Sequence, residues 1–98
     1  MTGEKKKFEP SVSFRHHLEQ VSVLLSEEIT KAVESHRPFN TAHEGYAVIL
    51  EELDELWDEV KKERSRRDPQ MMLNEAVQVA AMAVRFAIDV VLEGDYTL

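Results

Sequence analysis

The sequence predicts an all-α fold, a bundle of three main helices per chain with an oligomeric four-helix-type core. Three observations favour it. Apolar residues recur every three or four positions, helix-capping residues precede the apolar runs, and glycine and proline are scarce, standing where helices should begin or end. With 98 residues, 43% hydrophobic and 32% charged, the chain has the size and composition of one globular domain. Residues 1–12 are predicted to form a flexible tail and residues 13–98 a single helical domain.

Composition and charge limit the possible partners. A net charge of −7 disfavours nucleic acid polymers and anionic membranes as general partners. A nucleotide stays possible, because a bound divalent ion can invert the local charge. The absence of cysteine excludes disulfides and thiolate metal sites. No signal peptide is recognisable and the longest apolar run, Val79–Val84, is too short to span a membrane, so we expect a soluble, cytoplasmic protein.

The first helix is predicted from about Ser13 to about Glu34. His36-Arg37-Pro38 should end it, since a residue that precedes proline avoids helical backbone angles. The apolar residues along it have the spacing of an amphipathic helix: Phe14, Leu18, Val21, Leu25, Ile29 and Val33.

The second helix opens on Thr41-Ala42-His43-Glu44, a capping box in which Thr41 and Glu44 satisfy each other's backbone amides. It is predicted to run to about Ser65, with Arg66-Arg67 in the electrostatically favourable place beside its carboxyl end. Its apolar stripe is unbroken and should face the core: Tyr46, Ile49, Leu50, Leu53, Trp57 and Val60.

The third helix is predicted from Asp68-Pro69, an N-cap followed by proline, to about Leu92, with Gly94 as its stop. It is apolar nearly all round and must be covered on nearly all sides. Two other helices of one short chain cannot easily do that, so we expect at least a dimer with this helix at or near the interface. Four small residues would allow close helix approach: Ala76, Ala80, Ala83 and Ala87.

The few polar residues of the third helix share one narrow sector: Glu75, Gln78, Arg85 and Asp89. Burying a lone carboxylate is costly unless it meets a cation or several donors, so Glu75 needs a partner. Arg85, a basic residue of another subunit, or water at a helix end would serve. A metal ion shared with the second helix would serve as well.

Six acidic residues crowd the second helix between Glu51 and Glu59. Like charges one turn apart repel by about a few tenths of a kcal/mol each, and Lys61 and Lys62 lie too far along to relieve the first of them. This face is either an ordinary solvated one or, together with Glu75, a hard-oxygen site suited to Mg²⁺ or Mn²⁺.

These acidic residues resemble the motifs of the MazG-like, all-α nucleoside triphosphate pyrophosphohydrolases. Glu51-Glu52-Leu53-Asp54-Glu55 fits the EExxE motif of that family, and Glu75-Ala76-Val77-Gln78 stands on the next helix where its ExxD motif should be. Arg85 matches a basic position often found seven residues after the motif's aspartate. The resemblance covers residues 39–89, about half of the chain.

The resemblance implies a helical bundle, assembled as a dimer or tetramer, that splits a nucleoside triphosphate into a monophosphate and pyrophosphate. It implies Mg²⁺ (or Mn²⁺) held by Glu51, Glu52, Glu55, Glu75 and, where the family has aspartate, Gln78. Glu52 and Glu55 would be the catalytic residues. An amide oxygen carries no formal charge and binds Mg²⁺ more weakly, so the chain is a slow enzyme, an enzyme of altered metal demand, or a non-catalytic helical oligomer that binds a nucleotide or a protein.

The candidate substrate-binding residues are Arg85, Asn40 and His43. Arg85 either meets a phosphate or forms a structural salt bridge with Glu75 or Asp89. Asn40 and His43 stand at the start of the second helix, where an amide could read the edge of a nucleobase. Turn and cap roles explain that region better than base recognition does.

Overall fold

The computed structural model describes residue 7 and residues 9–94, and this part of the chain contains helices and no strand. Most of the predicted tail lies outside the described residues. The predicted all-α class with three main helices is confirmed. In chain order the elements are α1 (Val12–Ser35), α2 (Ala42–Val60), a 3₁₀ turn (Arg64–Arg66) and α3 (Pro69–Phe86), which continues as a π-helix (Ala87–Leu92).

The third helix, α3, is the centre of the fold, because α1 and α2 each pack along it. Four apolar residues are buried in the described part of the chain, and no large side chain there is completely buried: Ala32, Val77, Ala81 and Val90. The other two helices of the single chain do not cover α3 on all sides, as the sequence predicts. Two helices leave its small-residue face open, with Ala76, Ala83 and Ala87 exposed.

Only one of the two hydrogen bonds of the predicted capping box forms at the start of α2. Thr41 Oγ1 accepts the amide of Glu44 at 3.0 Å. The Glu44 carboxylate does not return to Thr41: it accepts the amide of Asn40 at 2.9 Å and two guanidinium nitrogens of Arg37 at 3.0 and 2.8 Å. Those bonds, led by the Arg37 contact, lower the pKa of Glu44 to about 2. The carboxylate therefore ties the α1–α2 loop to the helix start.

The end of α2 differs from the prediction, since the helix stops at Val60 and not at about Ser65. Arg67 Nε donates to the carbonyl oxygens of Val60 at 2.9 Å and Lys62 at 3.1 Å. An arginine from beyond the helix thus satisfies carbonyls that a continuing helix would have used. The sequence contains neither glycine nor proline at this break. The helical pattern therefore predicted a longer helix.

The orientation of α2 also differs from the prediction. Most of the apolar stripe expected in the core is exposed: Tyr46 by 63%, Leu50 by 42%, Leu53 by 48% and Trp57 by 58%. The face that packs against α3 lies beside that stripe and includes Gly45, Glu52 and Leu56. The inner face of α2 is therefore partly acidic, and much of its apolar surface is left outside.

The contact between α2 and α3 is close at Gly45, which is buried in the first turn of α2. A Cβ atom at this position would lie 2.6 Å from Cδ2 of Phe86 and 3.1 Å from Cδ2 of Phe39. Only glycine lets the two helix axes come this close without moving an aromatic ring.

The predicted bounds of the third helix are confirmed, although its last six residues are π-helical. The amide of Glu93 donates to the carbonyl oxygen of Ile88 at 2.8 Å, a bond that spans five residues. A Cβ atom at Gly94 would collide with the carbonyl oxygens of Asp89 and Val90, so glycine is required just after the helix end. None of the described helices combines the length and hydropathy that a membrane crossing requires.

We expect Gly45→Val to destabilise the protein, because overpacking at a close contact costs about 1–3 kcal/mol. Ala47→Val is the matched control: it places the same side chain on an exposed position of the same helix, at a cost of only about a few tenths of a kcal/mol. Urea denaturation followed by circular dichroism measures both. Equal losses in the two variants would contradict the close approach at Gly45.

Candidate metal centre and adjoining cavity

Three carboxylates meet between α2 and α3. Glu52 and Glu55 stand one turn apart on α2, Glu75 lies in the second turn of α3, and one oxygen of each falls within 4.8 Å of the others. Glu52 and Glu75 are half-buried and Glu55 is exposed. We call these three residues the acidic triad.

Two other predicted metal ligands lie outside the acidic triad. Glu51 is exposed and does not share its ligand geometry, although its charge acts on Glu52. Gln78 stands one turn after Glu75, but its side-chain nitrogen donates to Glu28 Oε1 of α1 at 2.5 Å. The structure thus brings together three of the four predicted glutamates.

The charge of the acidic triad is poorly solvated. Glu75 Oε2 is buried without a hydrogen-bond partner. Burial, with the nearby Glu55 and Glu59 carboxylates, raises the pKa of Glu75. Burial is also the largest cause that raises the pKa of Glu52 to about 7, followed by the effects of Glu55, Glu75 and Glu51. Without a cation, Glu52 and Glu75 therefore retain protons at a pH where glutamate is normally ionised.

No basic side chain in the described part of the chain pairs with the acidic triad. Lys61 bonds Asp58 at 2.9 Å and Lys62 bonds Glu59 at 2.8 Å, the two pairings that the sequence allowed. Three carboxylates that share one small volume, one of them with an orphaned buried oxygen, form a donor set of hard oxygens. The residues present therefore fit Mg²⁺ or Mn²⁺, which bind carboxylates and retain water or phosphate as further ligands.

The sequence left two roles open for Arg85, a phosphate contact or a structural salt bridge. In the structure it forms a salt bridge with Asp89. It is only 5% exposed, and its Nε and Nη2 atoms each bond Asp89 Oδ2 at 2.9 Å. Its guanidinium carbon lies 5.9 Å from the centre of the Phe39 ring, and the Phe39 amide donates to the same Asp89 oxygen at 3.3 Å. Asp89 therefore neutralises a buried cation and fastens the α1–α2 loop to the end of α3.

A cavity of about 580 Å³ opens beside the acidic triad, with walls from all three helices and the α1–α2 loop. Glu52 belongs to both the triad and the cavity wall. The other lining residues that matter for ligand chemistry are two carboxylates, an amide, an aromatic ring and three cations: Glu28, Glu44, Gln78, Phe39, Lys31, Arg37 and Arg85. Asn40 and His43 are exposed and do not line it.

Glu28 is the candidate site residue that the sequence reading missed. It lies on the same side of α1 as Leu25 and Ala32, which pack inward, and it bonds Gln78 across the α1–α3 contact. The sequence contained one indication of this role, because Glu28 is a charged residue on the face of α1 that otherwise carries apolar residues. Gln78 stands where the MazG-like motif has an aspartate. Glu28 therefore places an additional carboxylate next to that position.

No protein-family model, curated protein or solved structure matches this chain. The resemblance to the MazG-like pyrophosphohydrolases therefore stays a prediction. It depends on the EExxE stretch at residues 51–55 and the Glu75–Gln78 stretch of the next helix.

The raised pKa of Glu52 predicts an unusual pH dependence for the metal-free protein. The carboxyl is protonated up to about pH 7 when folded, but only up to about 4.5 when unfolded. Its stabilising contribution is therefore complete below about 4.5 and is lost as the pH rises through 7. We expect the melting temperature of Glu52→Gln, measured in EDTA, to rise relative to that of the wild type as the pH increases from 5 to 8.

Asp54→Asn, on the exposed side of the same helix, controls for the loss of one negative charge. Its melting-temperature difference from the wild type should change little over that pH interval. Mn²⁺ should raise the wild-type melting temperature more at pH 8 than at pH 5, since ions compete with protons for the triad. If the melting temperatures of the wild type and Glu52→Gln changed in parallel with pH, the raised pKa of Glu52 would be contradicted.

Removal of Asp89 should be strongly destabilising, because it leaves the Arg85 charge buried without a partner. We expect Asp89→Ala to cost about 3–5 kcal/mol of unfolding free energy. Asp58→Ala, which breaks the exposed pair with Lys61, should cost no more than about 1 kcal/mol. The apolar pair Arg85→Met with Asp89→Leu should recover most of the loss in urea denaturation. Similar costs for Asp89→Ala and Asp58→Ala would refute this role.

Proposed function

We propose that this protein is a metal-dependent nucleoside triphosphate pyrophosphohydrolase that releases a nucleoside monophosphate and pyrophosphate. One observation carries the proposal: three carboxylates that no described basic residue neutralises lie together beside a cavity large enough for a nucleotide. Glu52 is the residue that joins the two features. The MazG-like resemblance of residues 51–55 and 75–78 supports the same reaction.

Glu52, Glu55 and Glu75 would hold Mg²⁺ or Mn²⁺, with Glu51 and Gln78 close by. When bound, the ion would acidify a water molecule and offset the charge of the phosphates. Glu52 is half-buried and belongs to both the triad and the cavity wall, which would place it to accept a proton from a water molecule. Glu55, exposed beside it, is the second carboxylate within reach of the same volume.

The cavity favours an anionic ligand of nucleotide size. Its volume of about 580 Å³ lies within the range of about 300–1,000 Å³ that is usual for small-molecule sites. Lys31 lines it and forms no ion pair with another described residue, so its ammonium group is available to a phosphate. Phe39 supplies an apolar surface in the same wall. A polyanion would meet the acidic triad only through the metal ion.

The proposed reaction is a hydrolysis. The oxygen of a water molecule forms a bond to phosphorus, and the anhydride bond between the α- and β-phosphates breaks. Glu52 or Glu55 accepts the proton of the water, and pyrophosphate leaves with the bonding electrons of the broken bond. A bound dication and Lys31 would stabilise the charges that develop on the phosphate oxygens.

Gln78 favours a second candidate function, a non-catalytic nucleotide-binding or protein-interaction module. An amide replaces the motif's aspartate, and its nitrogen is engaged by Glu28. A descendant of the family that kept the cavity and lost one charged ligand would bind a nucleotide without cleaving it. Under this alternative, Gln78→Asp would create pyrophosphate release that the wild type does not show.

We expect the wild type to release pyrophosphate from at least one nucleoside triphosphate with Mg²⁺ or Mn²⁺. Glu55→Gln should lower that rate about 100-fold or more, because it removes a charged ligand and a proton acceptor without changing size. Asp54→Asn, the neighbouring exposed carboxylate outside the acidic triad, should keep the wild-type rate. The measurement is pyrophosphate release from canonical and damaged nucleotides, with circular dichroism as the check on folding.

No release from any nucleotide would refute the enzymatic proposal, provided that a control enzyme is active under the same conditions. Calorimetry then separates the remaining cases. Mn²⁺-dependent binding of a non-hydrolysable triphosphate would favour the non-catalytic nucleotide module, whereas no binding of metal or nucleotide would leave only an interaction domain.

A further inference from the structure

Glu28 of α1 and Gln78 of α3 form a side-chain hydrogen bond between the two helices. The nitrogen of the Gln78 amide donates to Glu28 Oε1 at 2.5 Å, and both residues are half-buried and line the cavity. Within the described part of the chain, neither side chain makes another hydrogen bond or ion pair. The carbonyl oxygen of the Gln78 amide therefore has no protein partner among the described residues.

The chemistry of a carboxylate fixes the orientation of this amide. An ionised carboxylate accepts hydrogen bonds and donates none, whereas an amide carries a donor nitrogen on one side and an acceptor oxygen on the other. Gln78 must therefore turn its nitrogen toward Glu28 and its oxygen away from it. A neutral partner that can both donate and accept would not impose this choice.

The position of Gln78 connects this amide with the acidic triad. Gln78 follows Glu75 by three residues, so the two side chains lie on one side of α3. Gln78 also shares the cavity wall with Glu52, which is itself a member of the triad. Glu28 does not belong to the group of carboxylates whose oxygens lie within 4.8 Å of one another, so its influence on the triad would pass through Gln78.

Glu28 also accounts for the amide at position 78. An aspartate there, as in the MazG-like motif, would face the Glu28 carboxylate across the α1–α3 contact, and two like charges so close together repel. Glutamine replaces this repulsion with a hydrogen bond and still offers an oxygen, the ligand type that Mg²⁺ and Mn²⁺ prefer. The negative charge that the motif places on the later helix is thus carried by α1 in this chain.

We propose that Glu28 is a positioning residue, which holds the Gln78 amide so that its carbonyl oxygen serves as a neutral ligand of the divalent ion that the acidic triad would bind. The inference rests on the metal site of the proposed function and adds α1 to it. Removal of a partner that orients a metal ligand through a hydrogen bond weakens metal binding by about 10–100-fold. Glu28 and Gln78 would therefore act as one unit, although they come from different helices.

The first test measures the dissociation constant of Mn²⁺ by calorimetry, with the full chain and without nucleotide. Glu28→Gln should raise that constant about tenfold or more, because an amide at position 28 can also donate and lets Gln78 turn its oxygen away from the triad. Glu27→Gln is the matched control. Glu27 is exposed and forms no ion pair with another described residue, so this variant removes the same charge and should leave the constant unchanged.

The second test asks whether Glu28 acts through Gln78. Gln78→Met keeps an unbranched side chain of similar length and removes both polar atoms of the amide. In that background Glu28→Gln should weaken Mn²⁺ binding no further, so the effects of the two changes should be strongly non-additive. An equal loss with and without the Gln78 amide would mean that Glu28 contacts the ion directly, and it would overturn the positioning role.

Reversal of the pair keeps the test decisive where a single variant fails to fold. The double variant Glu28→Gln with Gln78→Glu retains one amide, one carboxylate and the hydrogen bond between them, and a carboxylate oxygen is then left for the triad. Its Mn²⁺ dissociation constant should be equal to or below that of the wild type. A constant about tenfold above that of the wild type would contradict the inference.

These results are separable from the proposed reaction. If Mn²⁺ binding depends on Glu28 as expected but the wild type hydrolyses no nucleoside triphosphate, the proposed function fails and the positioning role stands. A wild type that binds no Mn²⁺, or equal dissociation constants for the wild type and Glu28→Gln, would overturn the inference. Circular dichroism of each variant checks that the helices are retained.

Discussion

The repulsion among Glu52, Glu55 and Glu75 is the constraint on which the α2–α3 contact depends. Two helices of one chain bring these carboxylates within 4.8 Å, and partial burial keeps water from one oxygen of Glu75. The protein can respond in two ways, by retaining protons or by binding a dication. The raised pKa values of Glu52 and Glu75 describe the first response. The adjoining cavity gives the second response a chemical use, because a metal-bound phosphate ligand would fit there.

The repulsion is a consequence of the way α2 is oriented. An amphipathic helix usually buries its apolar stripe, but α2 turns a partly acidic face toward α3 and leaves Leu53 and Trp57 largely exposed. Gly45 permits that orientation, because the absence of a Cβ atom lets α2 approach Phe86. The energetic consequence is a thin core within one chain. The apolar surface that would normally stabilise the fold is directed outward.

Local chemistry made part of this structure predictable from the sequence. The helix starts follow from Thr41 and Asp68, whose caps involve neighbours in the chain, and the end of the third helix follows from Gly94. The failures are non-local. Periodicity identified the apolar stripe of α2 but could not say which face would meet α3. The break after Val60 depends on the return of Arg67, and the role of Glu28 depends on Gln78, fifty residues away.

Under the proposed function, the inner face of α2 would hold the metal ion together with Glu75 of α3. A ligand that binds only the ordered form of a protein stabilises that form. Metal binding would therefore stabilise the α2–α3 contact. A chain with a thin core would gain part of its stability from the ion, so the costly acidic face need not be tolerated by the metal-free chain alone.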